Sequence, residues 1–265
     1  MEIIMKNYRK YGNSPFSIAL IHGGPGGPGE MRPVAIELSK EYGVIEPLQT
    51  KTSIKGQVEE LYNTLKCHAD NPVTLIGFSW GAMLSYIFTA NYPNFVKKLI
   101  LISSGVFESK YAKNIMKTRI NRLDDIEQKK LENLIEKLQN PNIPDSTKNA
   151  LFENIEKLIW KADSYDPLPY KKEILEYQYN IYCSVWNEAE KFRKDKNFLN
   201  LGKKITCPVI AIHGDYDPHP IKGIKEPLSR VLNDFKTIII PKCGHHPWFE
   251  KKTKNLFYKI LQSNI

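Results

Sequence analysis

Residues 77–81 read Gly-Phe-Ser-Trp-Gly and join an apolar strand-like run to an apolar stretch of helical period. Glycines two residues before and two residues after Ser79 allow a turn sharp enough to hold the hydroxyl exposed at the end of a strand. A chance glycine-serine turn is the alternative interpretation, because the five-residue pattern alone is common. The preceding strand and the following helix favour an elbow that presents Ser79 as a nucleophile.

Strand-like and helix-like segments alternate through both ends of the chain. Predicted strands lie at residues 16–21, 44–46, 73–77, 96–102, 209–213 and 237–240. Predicted helices lie at residues 31–41, 54–69, 81–91, 221–232 and 249–262. This alternation predicts an α/β fold with a mainly parallel sheet flanked by helices.

Residues 106–200 differ in sequence pattern from the rest of the chain. They contain no convincing strand but several stretches of helical period, with breaks at NPNIPDS and YDPLP. We therefore expect a helical lid inserted into a core domain formed by residues 1–105 and 201–265.

Charge and cysteine content argue against several classes of partner. The net charge is +9, but lysine and arginine are scattered in ones and twos and form no basic run, so we expect no nucleic-acid partner. The four cysteines are far apart and form no C-x-x-C pair, which is typical of reduced thiols in a cytoplasmic protein. The apolar runs are strand-sized and the first ten residues resemble no signal peptide, so we expect neither export nor membrane insertion.

A serine nucleophile needs a base to accept its proton and an acid to orient that base. The stretch VIAIHGDYDPHP offers Asp215 and Asp217 after one predicted strand, and IIIPKCGHHPWFE offers His245 and His246 after the next. The resulting order of serine, aspartate and histidine is that of an α/β-hydrolase triad. The residues alone leave the choice within each pair open.

The motifs HGGPG, GFSWG, HGDYDPHP and GHHPWFE together resemble the α/β-hydrolases of the proline-iminopeptidase-like group, peptidase family S33. The resemblance covers both predicted halves of the sheet and implies a triad of Ser79, Asp217 and His245. It leaves Asp215 to shape a turn and His246 to line the wall of the site.

The glycine-rich loop at residues 23–29 has two interpretations. Residues 24–29 spell G-x-G-x-x-G, and Glu46 lies 22 positions past the first of these glycines, as in a dinucleotide-binding loop. Such a loop works through backbone N–H groups that face the pyrophosphate, and Pro25 and Pro28 have none. The prolines therefore disfavour a nucleotide cofactor.

The resemblance gives the same loop a different role. In hydrolases of this kind the H-G-G loop and the residue after the nucleophile each supply one backbone N–H to an oxyanion hole. Here these residues are Gly24 and Trp80, and His22 is expected to brace the loop. We expect neither a cofactor nor a metal.

The predicted lid offers weaker indications of a substrate site. An aromatic and apolar stripe at positions i, i+4, i+7 and i+11 falls on one helical face. It consists of Leu175, Tyr179, Tyr182 and Trp186. This face either packs the lid onto the core or forms the roof of a pocket, and both can hold at once. Related peptidases hold the substrate's ammonium group with lid carboxylates, for which Glu173 and Glu176 are candidates, although mixed Glu/Lys helices usually face solvent.

We therefore predict a serine hydrolase that acts through an acyl-enzyme on small peptides or amino-acid amides with a free N-terminus. The alternative is a carboxylesterase or lactonase acting on small esters. Phe78, in a position where iminopeptidases tend to carry glycine, and a short lid both favour this alternative. A ligand-binding protein on an inactive hydrolase fold is disfavoured because every triad position is filled.

Overall fold

A mainly parallel sheet forms the centre of the molecule. The computed structural model describes residues 7–169, 171, 173–195 and 197–265, so residues 1–6 of the predicted core domain lie outside it. The strands are β1 Tyr8–Tyr11, β2 Phe16–Ile21, β3 Gly43–Pro47, β4 Val73–Phe78, β5 Val96–Ile102, β6 Val209–Gly214 and β7 Phe235–Ile240. They form one seven-stranded sheet in the order β1-β3-β2-β4-β5-β6-β7. Only β1 is antiparallel to its neighbour, so the predicted α/β fold is confirmed.

Helices cover both faces of the sheet. They are α1 Arg32–Leu38, α2 Ile54–His68, α3 Trp80–Asn91, α4 Ile115–Ile120, α5 Asp125–Leu138, α6 Asp145–Asp163, α7 Tyr179–Lys194, α8 Asn197–Asn200, α9 Lys222–Leu228 and α10 Lys254–Gln262. Alternate residues of β4 pack in opposite directions, because successive side chains of a strand point to opposite faces. Leu75 joins a core beneath α2, α3, α7 and α9, whereas Ile76 joins one beneath α1 and α10.

Two elements differ most from the sequence-based expectation, while α1 and α9 end at Leu38 and Leu228 rather than at the predicted residues 41 and 232. Strand β1 was not predicted, because its sequence YRKY is short, polar and only partly buried at the edge of the sheet. Helix α10 begins at Lys254 rather than at residue 249, because the chain first forms a short 3-10 turn at Pro247–Phe249. Among the described residues, no helix has both the length and the apolar character needed to cross a bilayer.

The helices α4 to α8 lie between β5 and β6, within the predicted insertion. Apolar side chains of α5, α6 and the turn before α5 form a separate small core. Its buried members are Leu123, Leu131, Leu138, Ile155, Leu158, Ile159 and Ala162. Helix α7 instead packs into the main core through Ile181, Val185 and Ala189. The division into a lid and a core at residues 106 and 200 stays a prediction.

Candidate active site

Ser79 sits in a strained turn between β4 and α3. Its backbone has φ 52° and ψ −114°, a left-handed conformation that residues with a Cβ rarely adopt. The Ser79 amide donates a hydrogen bond to the carbonyl of Ile102 on the neighbouring strand at 3.0 Å. A Cβ on Gly77 would lie 2.2 Å from the carbonyl of Gly81, and one on Gly81 would lie 2.3 Å from the carbonyl of Ile21. Both glycines are therefore required by close backbone contacts.

Asp217 and His245 lie in the loops that follow β6 and β7, and their side chains meet that of Ser79. His245 Nε2 is 3.1 Å from Ser79 Oγ, and His245 Nδ1 is 2.7 Å from Asp217 Oδ2. The structure thus brings the three predicted residues into one hydrogen-bonded chain. Both Asp217 and His245 are buried.

Three histidines surround the carboxylate of Asp217. Besides its contact with His245, Asp217 Oδ1 accepts hydrogen bonds from the backbone N–H of His219 at 2.9 Å and from His219 Nδ1 at 2.8 Å. His213 Nε2 lies 3.6 Å from Asp217 Oδ2. Burial by itself raises the pKa of Asp217, but the charges of His245, His213 and His219 outweigh it and hold the pKa well below its usual range.

His245 is poised to accept a proton. Burial lowers the pKa of its imidazole, and the neighbouring Asp217 carboxylate offsets only part of that effect. At neutral pH the ring is therefore uncharged. The ionised Asp217 has no proton to give, so His245 Nδ1 carries the hydrogen and Nε2 offers its lone pair to the Ser79 hydroxyl.

The two alternative residues occupy different positions. Asp215 is exposed, and its Oδ1 accepts a long 3.4 Å hydrogen bond from the amide of Cys243, within the turn region. His246 points toward Glu30, with 3.2 Å between Nε2 and Oε1, and its ring packs 5.0 Å from that of Phe78. The hydrogen-bonded chain to Ser79 runs through His245.

The glycine-rich loop contacts the same region. Gly24 has φ +101°, and a Cβ there would lie 2.8 Å from the amides of Gly26 and Gly27. Trp80 is the first residue of α3, and amides of a first helical turn have no acceptor within the helix. The roles of the Gly24 and Trp80 amides in an oxyanion hole stay predictions.

Glu46 is not available to a nucleotide in the glycine-rich loop. Its side chain is fully buried, its Oε2 accepts a hydrogen bond from the Tyr11 hydroxyl at 2.7 Å, and the same oxygen lies 3.7 Å from Arg9. The loop itself is joined to the insertion, because Gln178 N–H donates to the carbonyl of Gly26 at 3.0 Å. These contacts leave the dinucleotide interpretation without support.

A cavity opens in front of Ser79, and we call it the Ser79 cavity. It is lined by Gly24, Glu30, Phe78, Ser79, Arg119, Glu156, Ile159, Trp160, Asp163, Lys171, Glu173, Ile174, Tyr177, Tyr182, Trp186, His219, His245, His246 and Phe249. Four of these residues are carboxylates, and three of those come from the predicted lid. Two cations, Arg119 and Lys171, also line the cavity. We call the part of the lining that carries the four carboxylates the acidic wall, and it lies in the same cavity as the predicted nucleophile.

The predicted lid residues are divided by the structure. Tyr182, Trp186 and Glu173 line the Ser79 cavity, whereas Glu176 is exposed. Tyr179 packs 5.5 Å from the ring of Phe152 and is not among the lining residues. Helix α7 begins at Tyr179, so Leu175 precedes the helix and does not belong to its apolar face, contrary to the prediction. Glu173 is itself engaged, at 3.0 Å from Arg32 and 3.4 Å from Lys171.

Glu156 on α6 is a cavity residue that the sequence did not reveal. Burial raises its pKa from 4.5 to about 7, an effect that the charge of Arg119 reduces and those of Glu30 and Asp163 reinforce. The exposed part of its side chain borders the Ser79 cavity. Above a pH of about 7, where the carboxyl group is ionised at this pKa, a cation entering the cavity would find a carboxylate here.

Glu250 joins the insertion to the loop that carries His245. Its buried carboxylate accepts backbone hydrogen bonds from Tyr165 at 2.8 Å, Asp166 at 2.7 Å and Gly244 at 2.8 Å. The amide of His245 in turn donates to the carbonyl at the end of α6 at 2.9 Å. The segment after α6 and the His245 loop are thus bound to each other through the Glu250 carboxylate and through a backbone hydrogen bond from His245.

One group of metal-ligand atoms within the described residues includes two residues of the predicted triad. Ligand atoms of Asp217, His219 and His245 lie within 4.8 Å of one another. Both Nδ1 atoms are already engaged with Asp217. An ion bound there would compete with the hydrogen bonds that orient His245.

The sheet, the strained serine turn and the loops after β6 and β7 together define an α/β hydrolase. Residues 17–252 match the model of the alpha/beta hydrolase fold family, and the chain belongs to that family. The prediction of a hydrolase with this fold is confirmed at the level of the family.

Individual relatives are distant. The chain is 24% identical to a proline iminopeptidase of Saccharolobus solfataricus, over 97% of this chain and 87% of that protein. It is 27% identical to a pimeloyl-[acyl-carrier protein] methyl ester esterase of Wigglesworthia glossinidia brevipalpis, over 75% of this chain and 71% of that protein. Among solved structures, VinJ superposes with a TM-score of 0.68 at 15% identity, over 97% of this chain and 95% of the other.

Proposed function

We propose that this protein is a serine hydrolase that cleaves small peptides or amino-acid amides with a free N-terminus. The observation that carries the proposal is the hydrogen-bonded chain from Ser79 through His245 to Asp217, set beside an acidic wall in one cavity. We include in the proposal that the enzyme is cytoplasmic and needs no cofactor. The similarity to a proline iminopeptidase supports this substrate class.

In the proposed reaction, Ser79 Oγ attacks the substrate carbonyl while His245 Nε2 takes the hydroxyl proton. The ionised Asp217 stabilises the resulting imidazolium through its 2.7 Å contact with Nδ1. The amides of Gly24 and Trp80 stabilise the oxyanion of the tetrahedral intermediate. His245 then gives the proton to the leaving amine, and the acyl group stays on Ser79.

Water completes the cycle in the second half-reaction. His245 accepts a proton from the water as the oxygen attacks the acyl carbon, and the second tetrahedral intermediate collapses to release the acid. The proton on Nε2 returns to Ser79 Oγ. Each proton taken by His245 is thus given back, and the enzyme ends in its starting state.

The acidic wall gives a reason to favour substrates with an ammonium group. A buried cation is costly unless it is paired, and the Ser79 cavity offers Glu156, Glu30 and Glu173. Glu173 already pairs with Arg32, and Glu30 accepts a hydrogen bond from the Gly23 amide at 3.1 Å. We therefore assign the main ammonium contact to Glu156 rather than to Glu173 or Glu176.

A carboxylesterase or lactonase is the second candidate function. Phe78 lies directly before the nucleophile and borders the cavity, with its ring 4.9 Å from that of His245. This apolar side chain favours a neutral acyl group. The similarity to a methyl ester esterase supports the same alternative.

The decisive experiment compares alanine and proline β-naphthylamides, each free and N-acetylated, with p-nitrophenyl butyrate. We expect cleavage of the free arylamides and a loss of at least about 100-fold in kcat/KM on acetylation, because the cap removes the charge that the carboxylate pairs. Rapid ester hydrolysis without cleavage of any free-amine arylamide would instead establish the esterase alternative.

A further inference from the structure

A second cavity adjoins the Ser79 cavity, and we call it the Arg193 cavity. Its walls come from the loop after β5, from α4 and from α7. It is lined by Gly105, Val106, Ser109, Ala112, Lys113, Ile115, Met116, Arg119, Tyr182, Trp186, Glu190, Arg193 and His219. Four of these residues, Arg119, Tyr182, Trp186 and His219, also line the Ser79 cavity. The two cavities therefore meet beside the triad.

Arg193 brings a partly buried positive charge into this cavity. Burial lowers the pKa of its guanidinium, an effect that the charge of Glu190 only partly offsets. Its Nε is buried without a hydrogen-bond acceptor among the described residues. The guanidinium carbon lies 5.6 Å from the ring of Trp186, a residue shared with the Ser79 cavity. A partly buried arginine whose buried Nε lacks an acceptor is suited to bind an anion.

Other polar groups of the Arg193 cavity also favour the binding of an anion. Ser109 Oγ is buried and has no hydrogen-bond partner among the described residues, so it is a second free donor. The acidic residue in the lining, Glu190, is paired with Lys194 at 3.0 Å, and both side chains are largely exposed. Lys113 adds a further cation to the lining. The remaining lining includes apolar side chains such as Val106 and Ile115.

We propose that the Arg193 cavity binds the C-terminal carboxylate of a short peptide whose ammonium end lies in the Ser79 cavity. The inference rests on the proposed peptidase function and narrows its substrate class to short peptides with two free ends. Such peptides carry opposite charges at their ends, and the two adjoining cavities offer carboxylates at one end and a partly buried guanidinium at the other. The cost of burying each terminal charge is offset only when both are paired.

The test measures cleavage of peptides of two to six residues, each as the free acid and as the C-terminal amide. The quantity compared is the ratio of kcat/KM for the free acid to kcat/KM for the amide of the same peptide. We expect this ratio to be at least about 10 at one length between two and four residues and to approach 1 at six residues. In Arg193→Met this ratio should fall to about 1. Arg193→Lys should keep part of the preference for the acid, because lysine supplies the positive charge but not the two parallel donors of a guanidinium.

The ratio within each variant cancels any general loss of folding or of triad activity. Lys191→Met is the matched control, since Lys191 is an exposed cation on the same helix and is not among the residues that line the Arg193 cavity. This control should keep the full ratio. A ratio near 1 at every length in the unmodified enzyme, or a ratio unchanged in Arg193→Met, overturns the proposal.

Calorimetry separates failure of this inference from failure of the proposed function. In the Ser79→Ala background, which removes the nucleophile, the same acids and amides are titrated into the full chain. Tighter binding of the acids by at least 10-fold, lost on adding Arg193→Met, supports the anion site even if no peptide is cleaved. Equal binding of acid and amide at all lengths overturns it.

Discussion

Arg119 and Asp163 form a two-pronged ion pair in the wall of the Ser79 cavity, with 2.8 Å from Nε to Oδ1 and 2.6 Å from Nη2 to Oδ2. Asp163 is almost fully buried, and Arg119 is largely so. Because this guanidinium is already committed to Asp163, it compensates only part of the charge of Glu156. The ion pair thus leaves a neighbouring carboxylate available to a substrate cation.

The first prediction concerns pH dependence. For a free-amine arylamide, kcat/KM should rise with pH through about 7, because Glu156 must be ionised to pair with the ammonium. For a neutral ester, the rise should lie below 6.5, since burial lowers the pKa of His245. In Glu156→Gln the arylamide profile should lose its step near 7 and its maximum should fall by at least about 100-fold. Coincident profiles for the two substrates would remove Glu156 from the site.

The second prediction concerns stability. The pKa of Glu156 is raised on folding, so the folded state binds more protons between pH 4.5 and about 7, and stability falls as pH rises through this window. Glu156→Gln should therefore raise the free energy of unfolding at pH 8, by up to about 3 kcal/mol, and leave it nearly unchanged at pH 4. Urea unfolding at both pH values measures the difference. The exposed Glu132→Gln on α5 is the control and should show no such trend.

The third prediction tests the triad. Ser79→Ala should abolish labelling by a fluorophosphonate, and both Ser79→Ala and His245→Ala should reduce turnover by several orders of magnitude. The remaining acceleration over water should be on the order of 10³, from binding and the oxyanion hole. His246→Ala should have a much smaller effect, because His246 faces Glu30. A severe loss in His246→Ala alone would reverse the assignment of the base.

The fourth prediction tests the glycine-rich loop. Gly24→Ala should lower turnover by about 10² to 10³, the usual cost of losing one oxyanion donor, because a Cβ would crowd the amides of Gly26 and Gly27. Thermal unfolding of the same variant shows how much of the loss is structural. Calorimetry with NAD should detect no binding. Micromolar NAD affinity that disappears on mutation of Gly26 would establish the dinucleotide interpretation.

The fifth prediction concerns Glu250 as a positioning residue for His245. Glu250→Ala leaves three backbone N–H groups without their carboxylate and should cost about 3 to 5 kcal/mol of stability. Glu250→Gln keeps one acceptor and should fold, but with a lower kcat and a nearly unchanged KM. It should also shift the acid limb of the pH profile, which a purely structural role would not do. Unaltered kcat and pH profile in Glu250→Gln would refute the positioning role.

The sequence predicted the elements whose signal is local. A largely apolar strand precedes Ser79, a largely apolar helix follows it, and the glycines at 77 and 81 mark the sharp turn. The fold and the order of the predicted triad residues could therefore be inferred. The choice between Asp215 and Asp217 needed the family resemblance, because both follow the same strand. Their different burial depends on how the whole loop packs.

The acidic wall could not be predicted in the same way. Glu30 and Glu156 are 126 positions apart and come together only because the fold places both of them around the Ser79 cavity. On the sequence, Glu156 is one of several charged residues in a helix that alternates acids and lysines, the usual pattern of a solvated face. Glu173 and Glu176 were candidates because related peptidases use lid carboxylates, and the same charge pattern argued against them. A local charge pattern cannot tell a residue that borders a cavity from one that faces solvent.

The hydrogen bonds around Glu250 also limit which segments could be exchanged between this chain and a relative in a chimera. The predicted insertion is continuous in sequence, yet its residues Asp163, Tyr165 and Asp166 are hydrogen-bonded to the loop that carries His245 and Glu250. A chimera that receives residues 106–200 alone from a relative would separate the grafted segment from the His245 loop to which it is hydrogen-bonded in its own protein. Grafts that carry residues 244–251 along with the predicted insertion keep both sides of this junction together. The smallest unit that can be transferred with these hydrogen bonds intact is therefore discontinuous in sequence.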